Sequence, residues 1–398
     1  MLHLLLVLSA PLVQDWTPPP PPPTVPTVAM AQPRFSPFVL PDELRVVTQV
    51  AELEPLAGVV AELLSARLER EVLIGSPPAR AGDVVLTLGY TADEVGEGPE
   101  ALSIEVFEDH VALSGRTPDG VARAAARMLQ LLARVPSEDP ASAGAWSLPP
   151  VRLDDAPRFR WRAIRLSGEV DLPSAVRLLD LLFLGSFNAL VLDGEGGEGA
   201  RARQRALAEA LAEDAAARGI ALVRDRSSGP LPFARAGEGE SQRPLLCRPG
   251  DPADLAPFTR AGRLLISADF PWRPEPSAGD PVEDIAPDGA AYSWSPLRFL
   301  GAADSDLARA ASPLVLGSEL EVRGAEGLHA FMRVLPCLSE RAWGASSAPE
   351  TLGEFTPRAA ALRSLVERCA GPVTVAPDAL APGEQKGGAP SPRSDSGR

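Results

Sequence analysis

Adjacent carboxylates are the residues of this chain whose types and spacing best fit acid chemistry. Two Asp-Glu pairs occur, Asp42-Glu43 and Asp93-Glu94, and a glycine-rich stretch carries Glu195 and Glu198. A general acid must keep its proton near working pH and must be held firmly in place. Asp93-Glu94 is most simply a solvated turn, and flexible glycines are a poor mount for Glu195 or Glu198. No catalytic residue is therefore predicted, and a replacement site at the glycine-rich stretch is the weaker alternative.

Histidine and cysteine provide no recognisable metal or disulfide pattern. Long gaps separate all six residues, whereas a zinc site needs closely spaced ligands. We therefore predict no metal and no cofactor, and we expect the cysteines to be free or buried thiols. A single bridge from Cys337 to one of the other two cysteines is the alternative. These residues are His3, His110, His329, Cys247, Cys337 and Cys369.

Charge and hydropathy limit the possible partners and compartment. The net charge is −15, and no stripe of basic residues is present, which argues against a nucleic-acid partner. Residues Met1–Ala10 are apolar but too few to span a bilayer, and no later segment predicts a membrane span. They resemble the core of a secretory signal, so we expect a secreted or periplasmic protein. The alternative is that Met30 is the true start.

The elements that must position any site fall into two regions. A proline-rich linker extends to about residue 33, and helical and alternating patterns then predict a small α+β domain over residues 34–148. Its elements are a helix at Pro55–Glu69, a strand at Val84–Leu88, a hairpin within Leu102–Leu113 and a helix at Val121–Val135. From residue 149 to 370, strands alternate with helices such as Leu172–Leu184, which predicts a parallel sheet or barrel. The predicted strands are Arg162–Leu166, Ala189–Leu192, Ile220–Val223, Leu264–Ser267 and Leu314–Gly317, with a long loop after Arg224 and a disordered tail over residues 371–398.

Several short motifs in this second region occur in a recognisable order. Asp154 to Ala163 contains Pro-Arg-Phe followed by Trp-Arg, and Asn188 precedes the second strand. Further along are Gly219-Ile220, Tyr292-Ser293-Trp294-Ser295-Pro296, Gly317 with Glu319, and Glu340-Arg341-Ala342-Trp343. Together they resemble glycoside hydrolase family 20, the β-N-acetylhexosaminidases, over most of residues 35–369.

This resemblance implies a fold and an activity. The fold class would be α/β, with a small N-terminal α+β domain followed by a TIM-type (β/α) barrel whose site lies at the carboxyl ends of the strands. The activity would be removal of terminal N-acetylglucosamine or N-acetylgalactosamine. In this family the sugar's own acetamide attacks the anomeric carbon, an Asp orients it, and the adjacent Glu protonates the leaving oxygen.

The sequence departs from the family where that chemistry should lie. No Gly-Gly-Asp-Glu occurs between Val223 and Leu264, and the interval is too short for strands four to six with their helices. The Asp expected after the first strand is Ser167, and the tryptophan expected on the eighth is Arg323. We therefore predict an incomplete barrel with an open or rearranged sheet, and impaired or absent catalysis.

A sugar site could survive without the acidic pair. The resemblance implies that Arg162 binds sugar hydroxyls, with an ion pair to Asp154 or Asp155 as the structural alternative. Trp272 and Trp294 could stack on a sugar face, although core packing is the commoner fate of tryptophan. The predicted partner is a glycan ending in N-acetylglucosamine or N-acetylgalactosamine, and any protein partner is unknown. The other hypotheses are an active hexosaminidase with non-standard residues and a non-catalytic structural protein.

Overall fold

The N-terminal unit is a seven-stranded mixed sheet with two helices on one face. A computed structural model describes residues 24–34, 36–89, 98–134, 144–192, 197–223, 245–247, 265–267, 315–343 and 352–370. The strand order is β1-β10-β6-β7-β5-β3-β4. The strands are β1 (Met30–Pro33), β3 (Arg45–Thr48), β4 (Leu73–Gly75), β5 (Asp83–Leu88), β6 (Leu102–Val106), β7 (Val111–Gly115) and β10 (Val151–Asp155), and the helices are α1 (Glu54–Leu68) and α2 (Pro118–Leu131).

This unit extends beyond the predicted boundaries at both ends. β1 lies in the segment predicted to be linker, and β10 lies past the predicted limit at residue 148. β1 pairs antiparallel with β10, which in turn pairs antiparallel with β6, so the sheet continues from Met30 to Asp155. A separate small sheet contains β2 (Phe38–Val39), β8 (Ala133–Arg134) and β9 (Trp146–Leu148) in the order β2-β9-β8.

The second unit is a parallel sheet covered by helices. Its order is β13-β12-β11-β16-β15-β14, so the last strand in the chain lies beside the first, as in a barrel. The strands are β11 (Trp161–Ser167), β12 (Ala189–Leu192), β13 (Ala221–Val223), β14 (Leu245–Cys247), β15 (Leu265–Ser267) and β16 (Val315–Arg323). The helices are α3 (Leu172–Leu184), α4 (Glu198–Ala217), α5 (Gly324–Trp343) and α6 (Leu352–Ala370).

The described strands agree with the predicted incomplete barrel but include one strand that was not predicted. Within the described part of the chain the sheet is open, with β13 and β14 at its two edges. β14 lies in the interval predicted to be a loop, so the sheet contains one more strand than the five expected from sequence. The tripeptide Leu245–Cys247 is too short to show a hydrophobic periodicity in the sequence. Its extended conformation is fixed by pairing with β15.

Local sequence explains where several elements begin and end. α3 begins after Asp171, whose carboxylate accepts a hydrogen bond from the Ser174 amide at 2.8 Å, a standard N-cap. α1 ends at Leu68, and the residue that follows it, Glu69, has a left-handed backbone. In β16, Gly317 has φ +150, and a Cβ there would lie 1.7 Å from the Trp161 carbonyl oxygen. Only glycine permits β11 and β16 to pair this closely.

The two units share one hydrophobic core. α1 and α2 pack on the N-terminal sheet with one side and against α3, α4 and α6 with the other. Buried side chains such as Leu64, Leu129, Leu182 and Leu362 belong to the same cluster. No helix among the described residues is long and apolar enough to cross a bilayer.

Candidate functional site

The inner face of the parallel sheet changes from apolar to polar along its strands. On β11, Ile164 and Leu166 belong to the core under the helices, whereas Trp161 and Ala163 pack with Ala189 on the other face. Side chains alternate along a strand, so the inner face continues with Arg165 and Ser167. The carboxyl end of this face is where barrel enzymes place their sites.

Polar side chains from β11 and β16 meet at this end of the sheet. Arg165 and Glu319 form an ion pair with Nε and Oε1 2.8 Å apart. The Ser167 hydroxyl donates to Glu321 Oε1 at 2.9 Å, and Arg323 Nε donates to the same oxygen at 2.7 Å. We call these five residues the strand-end cluster.

Solvent access increases along this cluster toward the strand ends. The side-chain exposure is 2% for Glu319, 30% for Glu321 and 74% for Arg323. Glu319 is therefore a buried charge, whereas the side chains of Glu321 and Arg323 reach solvent. Carboxylate and guanidinium groups together can accept from and donate to hydroxyls, as sugar recognition requires.

The electrostatics of Glu321 keep it ionised. Partial burial raises the pKa of its carboxyl, but the hydrogen bonds from Arg323 and Ser167 and the charges of Arg323 and Arg165 outweigh burial and hold the pKa below its usual value. A carboxylate of this kind can accept a hydrogen bond from a hydroxyl but is a poor proton donor at neutral pH.

Carboxyl groups with a raised pKa lie elsewhere in the described chain. Burial raises the pKa of Asp119 at the start of α2, of Asp180 on α3 and of Asp155 on β10, the last to about 6. None of the three belongs to the strand-end cluster. Among the residues that the structure describes, no group of three His, Cys, Asp or Glu side chains could hold a metal ion.

Arg162 lies at the opposite end of β11 from the strand-end cluster. It is 1% exposed, and its guanidinium donates to Glu100 Oε1 at 2.6 Å, Ser186 O at 2.8 Å and Phe159 O at 2.5 Å. The structure therefore supports the alternative of a structural ion pair, although the partner is Glu100 rather than Asp154 or Asp155. No exposed atom of Arg162 supports the prediction that it binds a sugar hydroxyl.

Glu100 is the centre of a buried network between the two units. Its carboxylate also accepts from Arg123 at 3.1 Å and from the Asn188 side chain at 2.9 Å. Burial alone would raise the pKa of Glu100, but the charges of Arg162 and Arg123 outweigh it and the pKa is lowered. Asn188 also accepts from the Arg162 amide at 2.9 Å, which fixes the start of β11 against the turn before β12.

A second part of this interface surrounds Trp343. The guanidinium carbons of Arg127 and Arg162 lie 4.7 and 4.9 Å from the centre of its indole ring. Asp155 lies beside Arg127, with Oδ2 and Nη2 3.7 Å apart. Asp154 pairs instead with Arg152, at 2.8 Å. Asn188 and Trp343, which carried the sequence resemblance, therefore both lie at the domain interface.

The other predicted residues divide into described and undescribed ones. Trp272, Trp294, Glu195 and the Asp93-Glu94 pair lie outside the described residues. Asp42 is exposed in the N-terminal unit and contacts Arg70 at 3.1 Å, and Glu198 is exposed at the start of α4. Cys337 and Cys369 are not joined by a disulfide, so the alternative of a bridge between them is wrong.

Sequence reasoning missed Arg165 and Glu321. Arg165 shares one face of β11 with Ala163 and Ser167. Glu321 shares one face of β16 with Glu319 and Arg323. Because β16 was predicted to end at Gly317, its polar half was not recognised as strand. Two neighbouring strands that each end in charged residues on one face would have been the signal.

Comparison with known proteins identifies this architecture. Residues 21–156 match the family model described as glycosyl hydrolase family 20, domain 2. No curated protein matches the chain in sequence. Among solved structures, the chain is similar to Streptomyces plicatus N-acetyl-β-hexosaminidase in complex with Thio-NAglucal, with a TM-score of 0.65 and 15% identity over 89% of this chain and 96% of that one.

Two other solved structures give the same result. The GH20 β-N-acetylhexosaminidase from Streptomyces coelicolor A3(2) has a TM-score of 0.63 and 14% identity over 89% of this chain and 98% of that one. The GH20 exo β-N-acetylglucosaminidase from Vibrio harveyi, in complex with N-acetylglucosamine, has a TM-score of 0.57 and 12% identity, covering 87% and 77%. The family model that matches residues 21–156 and the solved structures that share the fold thus point to the same family.

Proposed function

We propose that this chain, whose residues 21–156 match the glycosyl hydrolase family 20 domain 2 model and whose fold is similar to solved GH20 structures, binds a glycan ending in N-acetylhexosamine and does not hydrolyse it efficiently. The single observation that carries the proposal is the strand-end cluster. It places an accessible carboxylate and guanidinium, Glu321 and Arg323, at the edge of the sheet where this fold holds its ligands.

Binding follows from the chemistry of these two groups. Glu321 accepts from Ser167 and Arg323 through Oε1, and as an ionised acceptor it can also take a hydrogen bond from a sugar hydroxyl. Arg323 is mostly exposed and carries further N–H donors. Solved structures with this fold hold N-acetylglucosamine or Thio-NAglucal.

Weak or absent hydrolysis follows from the missing acid. The Asp-Glu pair expected in this family is not found in the second unit's sequence, and Glu321 has a lowered pKa. General acid catalysis commonly contributes about 10² to 10⁴-fold to rate. Loss of the acid and of the residue that orients the acetamide would therefore reduce turnover severely. We also propose export, on the basis of the apolar Met1–Ala10 segment.

The test is binding and turnover measured on the same protein. We expect N-acetylglucosamine to bind in a calorimetric titration, with at least about tenfold weaker binding in Glu321→Gln and Arg323→Ala, the equivalent of about 1.4 kcal/mol. Asp42→Ala is the matched control, since it removes an exposed ion pair with Arg70 in the N-terminal unit, away from the strand-end cluster. The control should bind as wild type does.

Two results would each contradict one part of the proposal, either the binding or the lack of efficient hydrolysis. Undetectable binding of both N-acetylglucosamine and N-acetylgalactosamine by the folded protein would favour a non-catalytic structural role. Clear hydrolysis of a chromogenic N-acetyl-β-glucosaminide would show an active enzyme with non-standard residues. Loss of that hydrolysis in Glu321→Gln would then show that the reaction requires Glu321.

A further inference from the structure

The segment Thr24–Ala29 lies in a groove between the two units of the molecule. Four elements line the groove: α2 and β10 from the N-terminal unit, and α5 and α6 from the second unit. Thr24 and Val25 are fully buried, at 0% exposure each, and Val28 packs on the shared core. A segment that the sequence predicted to be linker is therefore part of the folded interior.

Side chains of the groove bind the backbone of this segment. The Val25 amide donates to Gln130 at 2.7 Å, and the Val25 carbonyl accepts from Arg127 at 2.6 Å and from Gln130 at 2.9 Å. Arg358 donates to the Thr24 carbonyl. These contacts anchor the first two residues to both units, through α2 on one side and α6 on the other.

The remaining contacts continue along the segment. The amide and hydroxyl of Thr27 both donate to Glu340, each at 2.8 Å. The Ala29 amide donates to Asp155 at 3.2 Å. The amides of residues 25, 27 and 29 are thus all bound by side chains rather than by a neighbouring strand.

We propose that this groove is a peptide-binding site that the chain fills with its own residues 24–29. Its ligand is an extended peptide recognised mainly through main-chain groups, with a small apolar side chain at the Val25 position and a hydroxyl at the Thr27 position. Preorganised charged donors and acceptors make such recognition strong, because leaving them buried without partners is costly. The inference does not depend on sugar binding.

A direct consequence concerns a chain that begins at Met30. Such a chain would keep the pairing of β1 with β10 but would open the groove. Arg127, Gln130, Glu340 and Arg358 would each lose a partner that they have in the full chain. The same groove should then accept a separate peptide with the sequence of residues 22–29.

The experiment compares the full chain with a variant that begins at Met30. We expect the variant to melt at a lower temperature and the acetylated 22–29 peptide to restore the Tm in a saturable manner. The matched control is the same peptide with Val25→Asp, which puts a charge into the fully buried position and should have no effect. An unchanged Tm in the variant, or no response to the wild-type peptide, would overturn the proposal.

Hydrogen exchange on the full chain covers the case in which the Met30 variant does not fold. The amides of Val25, Thr27 and Ala29 should exchange as slowly as those of the core strand β6, and Val25→Asp should speed their exchange at least tenfold while β6 stays protected. Unprotected amides at these three positions in the wild-type protein would show that the segment does not occupy the groove.

Discussion

At the scale of single residues, burial decides whether a charged group is structural or available. Glu100, Arg162 and Asp155 lie at the interface, with almost no exposed surface. Glu321 and Arg323 carry the same chemical groups but lie at the solvent-facing end of the sheet. The residue type alone does not distinguish these roles, so the sequence left Arg162 between a sugar contact and a structural ion pair.

Asp155 gives a pH dependence that can be tested. Burial raises its pKa to about 6, whereas an unfolded Asp titrates near 4. The folded protein thus binds this proton more tightly, and the resulting stabilisation is complete below about pH 4 and lost as the pH rises through about 6. For about two pKa units, the loss is on the order of 3 kcal/mol.

The measurement compares Asp155→Asn with wild type in denaturant unfolding between pH 4.5 and 7. Asn keeps an oxygen for the amides of Ala29 and Ala156, which Asp155 Oδ1 accepts at 3.2 and 2.9 Å. The free energy of unfolding of Asp155→Asn should therefore rise relative to wild type across this range. A difference that does not change with pH would mean that Asp155 titrates normally.

At the scale of elements, the close pairing of β11 with β16 depends on a single residue, Gly317. Gly317→Ala would put a methyl group 1.7 Å from the Trp161 carbonyl oxygen, far inside van der Waals contact. We expect a loss of several kcal/mol or failure to fold, measured by chemical denaturation, because the strands would have to separate.

Gly199→Ala is the matched control for this change. Gly199 lies in the exposed first turn of α4, with its nearest neighbour 3.8 Å from a Cβ. Alanine there should stabilise the protein slightly, by up to about 1 kcal/mol. If Gly317→Ala and Gly199→Ala had similar effects, β11 and β16 would not pair as described.

Elements were predictable from sequence where their periodicity was long and strong. α3 and β12 match the predicted bounds, Leu172–Leu184 and Ala189–Leu192, because each is a buried apolar pattern with clear ends. β14 was missed because a three-residue strand depends on its neighbour for its conformation. β1 was missed because its residues, Met30–Pro33, follow a proline tract and have no apolar alternation.

The candidate site was predictable only in part, for a related reason. The resemblance correctly implied the fold, and it noted Ser167 and Arg323. It could not show that Arg165 and Glu321 complete the cluster, because that depends on the pairing of β11 with β16, about 150 residues apart in the chain. Trp272 and Trp294 remain predictions.

At the scale of the whole molecule, a buried network joins the two units. Glu100, from the N-terminal unit, is hydrogen-bonded to Arg162 and Asn188 of the second, and one hydrophobic core extends through both. We expect a single calorimetric unfolding transition. Glu100→Ala should lower stability by about 3–5 kcal/mol, because it leaves buried arginines without a carboxylate.

Glu105→Ala is the control for this prediction. Glu105 forms a partly exposed ion pair with Arg152 at 2.9 Å, and its loss should cost about 1 kcal/mol or less. Two separate transitions in the wild-type protein would show that the units unfold independently. Equal effects of Glu100→Ala and Glu105→Ala would show that the network contributes little.

The location of Asn188 and Trp343 at the domain interface separates two kinds of information in this sequence. These residues join the two units at one end of the sheet, whereas the strand-end cluster lies at the other end. Sequence motifs at the interface therefore report how the chain folds, and they carry no information about the chemistry at the carboxyl ends of the strands.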